Sequence, residues 1–281
     1  MSKKLRNILI WIGTLATILV ICLPGFWVIL SAFRTNGEIL SRPAIWVPKS
    51  LTLDNFRAIF GFGEHVVGVP VGAYFTNSIV ISVTSTVIAL IIGMAGGYAF
   101  ARYNFPGKGK AFLWLMLSRT IPGIALSLPI FILWAWIGLI DTHLGVIIVY
   151  TAINVPFTVW LTEGFFRQIP KDLSEAAQID GCTPWQAFWR VEFPLAKAGI
   201  ASAGIFAFLT SWNEYALASQ LTRSTDSKTL PVGLMDFTAQ FTIDWAGMCA
   251  MAVIIIIPAL ILTFLVQKHL ISGLTFGGVK G

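Results

Sequence analysis

Six stretches of this chain, residues 8–30, 74–100, 112–136, 144–161, 199–219 and 246–267, carry two charged side chains between them, Arg119 and Glu214. A bilayer core needs about 20 apolar residues per crossing helix. Inside lipid, every backbone N–H and C=O must be satisfied within the spanning structure. The runs therefore specify an all-α integral membrane protein with six transmembrane helices. Composition bears this out: 11% of residues are charged and 56% hydrophobic, whereas a soluble domain is roughly 25% charged.

The first run follows Lys3, Lys4 and Arg6, as a secretory signal would. It is longer than a signal's apolar region, and no A-x-A cleavage pattern follows it. Cys22 lacks the small preceding residue of a lipoprotein signal, so an uncleaved helix is expected. Lysine and arginine bias sets the orientation. With the N-terminus inside, twelve fall on the cytoplasmic side and six outside, with Arg119 in a span. Both termini are then cytoplasmic, and residues 34–73 and 220–245 form the long outer segments, both expected to be polar and irregular.

Several chemistries are missing from the pattern. The net charge of +6 is scattered between apolar runs, with no basic face of the kind that binds nucleic acid. Cys22, Cys182 and Cys249 are odd in number and far apart, which fits small packing residues. His65, His143 and His269 stand alone near span ends, so no metal site is expected. A G-x-x-x-x-G-K-[ST] phosphate loop is absent, as is a G-x-S-x-G elbow. No catalytic constellation is found. Internal repeats of the secondary-transporter kind are also absent.

The most informative segment is the cytoplasmic connection at about 163–198. Pro170 opens a helix with Asp172 and Glu175 in its first turns, where acidic groups favour the helix dipole. Gly181 supplies a left-handed stop. Thr183-Pro184-Trp185-Gln186 then reads as a capping box. The second helix puts Trp185, Phe188 and Trp189 on one face, and Pro194 is expected to end it. Such a pair of short helices suits either a lipid surface or a groove in another protein.

Within that segment, Glu175-Ala176-Ala177-Gln178-Ile179-Asp180-Gly181, followed by Phe193-Pro194-Leu195, resembles the E-A-A-x-x-x-G loop of ABC importer permeases. Trp212-Asn213-Glu214-Tyr215, Lys228-Thr229-Leu230-Pro231-Val232-Gly233 and the tail Gly277-Gly278-Val279-Lys280-Gly281 make the chain similar to the shorter permease of maltose-type carbohydrate importers. Val191, Phe193 and Ala198 depart mildly from that pattern. The resemblance covers nearly the whole chain from Thr76 onward.

The resemblance implies a type I importer permease fold and a binding-protein-dependent system in a bacterial or archaeal inner membrane. Its partners would be a second permease forming a heterodimer, two ABC ATPase subunits, an extracytoplasmic solute-binding protein and membrane lipid. ATP and Mg would be bound by the ATPases, so no cofactor is expected in this chain. Glu175, Ala176, Ala177, Asp180, Gly181, Trp185 and Pro194 would form the ATPase-coupling loop, and the final Gly277–Gly281 of the cytoplasmic 271–281 tail would reach toward the ATPases. The expected organisation is then a first helix with outer segment at 1–73, a permease core at 74–270, and the tail. Arg119, Asn213 and Glu214 are candidate pathway groups, each against a purely structural alternative: a snorkelling arginine and bundle-internal hydrogen bonds. Trp134 and Trp136 fit an aromatic belt, and Gly93, Gly96 and Gly97 fit close helix packing. A self-sufficient carrier using Arg119 and Glu214 as a charge relay is the rival reading, and a membrane-embedded enzyme the second.

Overall fold

The computed structural model describes residues 3–62, 68–238 and 242–275, with 266–275 described by backbone alone. In chain order the helices are α1 (Lys3–Ala32), α2 (Asn36–Ile39), α3 (Asp54–Ile59), α4 (Val71–Arg102), α5 (Lys108–Ser118), α6 (Gly123–Ile137) and α7 (His143–Gln168). After these come α8 (Lys171–Ile179), α9 (Pro184–Ala187), a π-turn (Phe188–Glu192) and α10 (Phe193–Trp212). The remainder is α11 (Ala218–Leu221), α12 (Leu230–Gly233), a 3₁₀ turn (Leu234–Phe237) and α13 (Trp245–Thr275). Among the described residues five helices are long and apolar enough to cross a membrane, and a sixth crossing results if α5 and α6 count as one.

That third span departs from the continuous helix expected over 112–136. The chain bends by 91° between α5 and α6. Pro122 caps α6, and a proline disfavours helical geometry in the residue before it, here Ile121. Thr120 Oγ1 and Ser118 Oγ donate to the carbonyls of Leu117 and Leu115 at 2.8 and 2.7 Å. These side chains occupy carbonyls at the end of α5. The fifth span also ends early, at Trp212 rather than near 219. Asn213 and Glu214 lie just beyond it.

The chain divides into two compact units. The first comprises residues up to Gly72 together with Gly233–Ile257. Its outer segment holds short pinned helices, where polar, irregular chain was expected. Arg34, fully buried at the end of α1, donates to the Ile45 carbonyl and lies 5.2 Å from the Trp27 ring centroid. Asn55 Nδ2 donates to the carbonyls of Ala32 and Arg34 at 2.8 and 2.7 Å. Asn36 bridges to Asp244 Oδ1 at 2.8 Å and accepts from the Ala246 amide at 3.0 Å.

The second unit, Ala73–Val232 with Pro258–Gly281, holds the central packing of α4, α7 and α10. A Cβ added at Gly93 or Gly97 would overlap Thr158 or Thr162, and one at Gly96 would sit 3.1 Å from Val159. The glycine spacing on α4 therefore serves close approach to α7. Hydroxyls then bond across the gap. Thr158 Oγ1 donates to the Ala89 carbonyl at 3.1 Å, and Thr162 Oγ1 to the Gly93 carbonyl at 2.8 Å. Asn154 Nδ2 donates to Ser211 Oγ at 2.9 Å, and Ser211 Oγ meets Ser85 Oγ at 3.1 Å. Apolar side chains gain little by association inside lipid, so small residues and such polar contacts hold membrane helices together.

Candidate functional site

The loop between the fourth and fifth spans forms as its punctuation predicts at all points but one. Gly181 takes φ +93°, and the Cys182 amide reaches back to the Ala177 carbonyl at 2.9 Å. Thr183 and Gln186 make the reciprocal capping box at 2.9 and 3.2 Å. Pro194, however, does not end the second helix. It lies in the first turn of α10, which continues from α9 through the π-turn. A proline inside a helix removes one N–H and clashes with the carbonyl four residues earlier. The π-turn shifts the hydrogen bonding, the Phe193 amide reaching the Phe188 carbonyl instead, and the helix passes through.

The loop brings Glu175, Ala176, Asp180, Gly181 and Trp185 together as exposed residues, with Ala177 half-buried and Pro194 exposed beyond the π-turn. Ile179 is 86% and Trp185 69% exposed, although both sit on ordered, capped helices. Neither Glu175 nor Asp180 forms an ion pair among the described residues. The loop thus presents large apolar side chains with unpaired carboxylates on a rigid support.

Behind it lies a packed base that the sequence reading missed. Phe188 fills a cluster with Phe166 and Ala196. Its ring lies 4.8 Å from Tyr98, near the C-terminal end of α4. Glu192 meets Arg102 Nε at 2.7 Å and accepts from the Tyr98 hydroxyl at 3.3 Å. Arg102 Nη1 donates to the Ile169 carbonyl at 3.0 Å. The available signal was slight: Arg102 follows the 74–100 apolar run, and Glu192 stands two residues before Pro194 within the connecting loop.

The pathway candidates do not form one group. Arg119 sits in the break between α5 and α6, its guanidinium 4.4 Å from the Phe157 ring centroid. No carboxylate among the described residues lies within ion-pair distance of it. Glu214 instead accepts from the Tyr150 hydroxyl at 3.0 Å and from the amides of Leu217 and Ala218 at 2.8 and 3.0 Å. It caps the short turn leading into α11. Asn213 donates to the Leu209 carbonyl of its own helix at 2.9 Å. Trp134 Nε1 donates to the Gly145 carbonyl at 2.9 Å, while Trp136 is 85% exposed.

On the expected outer side, Asp141 binds the 221–230 segment. Its Oδ1 accepts from the amides of Arg223 and Ser224 at 2.8 and 2.9 Å and from Ser227 Oγ. Burial pushes the Asp141 carboxyl up, but the Ser227 hydroxyl and those two amides outweigh it and hold the group well below the usual carboxylate range. Asn77 supports the same segment, donating to the carbonyls of Thr225 and Lys228 at 2.9 and 3.0 Å. His143 Nε2 lies 3.0 Å from Asn77 Oδ1, a structural contact. Among the described residues no cluster of His, Cys, Asp and Glu is placed to hold a metal. The tail 277–281 and His65 lie outside the described residues, as does the His269 side chain.

Comparison with known proteins places this arrangement. Residues 85–275 match the family described as the binding-protein-dependent transport system inner membrane component. The trehalose transport system permease SugB of Mycobacterium tuberculosis is 36% identical over 92% of this chain and 92% of its own. The diacetylchitobiose uptake permease DasC of Streptomyces coelicolor is 32% identical over 97% of each chain. A crystal structure of a bacterial ABC transporter that imports the acidic polysaccharide alginate contains a chain of the same fold, with TM-score 0.77 at 22% identity, covering 95% of this chain and 98% of that one. The chain, with its membrane-length helices and its capped loop beside Glu175–Gly181, is thus a multi-pass permease subunit and belongs to the inner membrane component family of binding-protein-dependent ABC transport systems.

Proposed function

We propose that this chain is one of two permease subunits of a carbohydrate importer, forms half of the translocation pathway, and receives the ATPase stroke through the loop at 171–194. The observation that carries the reading is the exposure of Ile179 and Trp185 on a capped, hydrogen-bonded element. Large apolar side chains on a rigid support suit a helix seated in another protein's groove. The relatives named for trehalose and diacetylchitobiose favour a di- or oligosaccharide as the solute. Two ATPases, a second permease and an extracytoplasmic binding protein complete the assembly, and both termini face the cytoplasm by the lysine and arginine bias.

In this scheme nucleotide-driven closure moves the ATPases, and the capped loop carries that displacement into the spans. The ATPases must bind the inward and outward states differently for any coupling to exist. Arg119 is the pathway candidate best placed for the role, being mid-span, uncompensated by any ion pair among the described residues, and at a helix break. A mild-detergent pulldown of tagged protein from its native membrane tests the reading. Recovery of a second permease with a P-loop ATPase is the expected result. Recovery of this chain alone, still exchanging solute in liposomes, would instead establish a self-sufficient carrier.

A further inference from the structure

The buried pair Glu192–Arg102 lies between the cytoplasmic loop and the span core. Their side chains are 1% and 8% exposed. Removing either partner from such a pair leaves a buried charge uncompensated. The pair joins three elements: Glu192 from the π-turn, Arg102 from the end of α4, and the Ile169 carbonyl at the corner between α7 and α8. Tyr98, also on α4, closes the other carboxylate oxygen at 3.3 Å. A π-turn inside a helix is frequently a functional feature, and this one seats both Phe188 and Glu192 against α4.

We infer that Glu192 and Arg102 are positioning residues, a joint by which displacement of the α8–α9 loop is delivered to α4. This inference rests on the coupling role proposed for that loop. The carboxylate makes a directional, charge-assisted contact, whereas aromatic contacts of Phe188 alone allow the loop to slide. Loss of the joint would leave the loop docked and the ATPases working, while separating their cycle from the spans. A signal passing from the outer face through α4 to the loop would cross the same contact, so losing the joint would weaken it.

The test uses the full assembly in proteoliposomes, with ATPase rate measured before and after adding the cognate binding protein as purified with its bound solute. Glu192→Gln is expected to assemble, to keep basal ATPase within about twofold, and to lose at least fivefold of the binding-protein stimulation. The exchanged pair Glu192→Arg with Arg102→Glu is expected to recover part of it. Normal stimulation in Glu192→Gln overturns the joint. A parallel fall of basal and stimulated rates also overturns it, showing a purely structural pair. If Glu192→Gln fails to assemble, Tyr98→Phe, which deletes one hydroxyl, decides: a selective loss of stimulation supports the joint and an unchanged response refutes it. Absence of stimulation in the wild-type assembly would refute the importer reading itself, and the joint with it.

Discussion

At the level of single residues, two positions give sharp expectations. A Cβ at Gly97 would overlap Thr162 and lie 2.8 Å from the Glu163 backbone nitrogen, which cannot swing aside. Gly97→Val should therefore cost about 1–3 kcal/mol, as overpacking does, seen as a lower midpoint of thermal unfolding in detergent. Gly164→Ala, with nothing near its Cβ, should leave that midpoint unchanged or raise it. Asp141 is the second. Its carboxyl lies below the usual range in the folded protein, so its stabilisation is fully present above the ordinary carboxylate value of about 3.9. It is lost as pH falls through that value toward the lower folded one. Asp141 has φ +62°, a conformation that asparagine tolerates, so Asp141→Asn isolates the charge. The variant should expose the Arg223 and Ser224 amides at pH 7, accelerating their hydrogen exchange about tenfold or more. The wild type should retain protection down to about pH 4. Equal exchange in the two proteins at pH 7 would refute the assignment.

At the level of elements, local chemistry that needs no tertiary partner was legible in the sequence. The corner at Gly181 and the capping box at Thr183 are fixed by backbone freedom and side-chain reach within a few residues, and both form as expected. Five of the six expected spans followed from hydropathy for the same reason, and the sixth holds if α5 and α6 count as one. Pro194 misled because its effect depends on what surrounds it: a π-turn absorbs it where Phe188 and Glu192 have a buried seat. The break at 119–122 was likewise hidden, since Pro122 alone does not distinguish a kink from a 91° bend. Glu192 with Arg102, and Asn154 with Ser211, were not legible because their partners lie 90 and 57 residues away. The broken span makes its own prediction. An arginine at the helix centre costs about 2.5–3.5 kcal/mol to insert, so Arg119→Leu should insert readily. If Arg119 lines the pathway, as proposed, uptake of the solute carried by the co-purified binding protein should fall at least tenfold while assembly persists. Unchanged uptake would leave Arg119 a packing residue over Phe157.

At the level of the whole molecule, the helices supply two things that an ATP-driven permease requires. One is a span core held by glycine contacts and hydroxyl bonds. The other is a capped loop between the fourth and fifth spans whose largest apolar side chains, Ile179 and Trp185, face outward. A lipid-lying amphipathic element would also expose such side chains, and this alternative is what the central claim must survive. The most direct measurement places a photo-crosslinking amino acid at position 179, where Ile179 is 86% exposed, and irradiates native membranes. The account predicts an adduct between this chain and an ABC ATPase subunit. An adduct confined to lipid or to this chain, with the protein properly inserted, would contradict it.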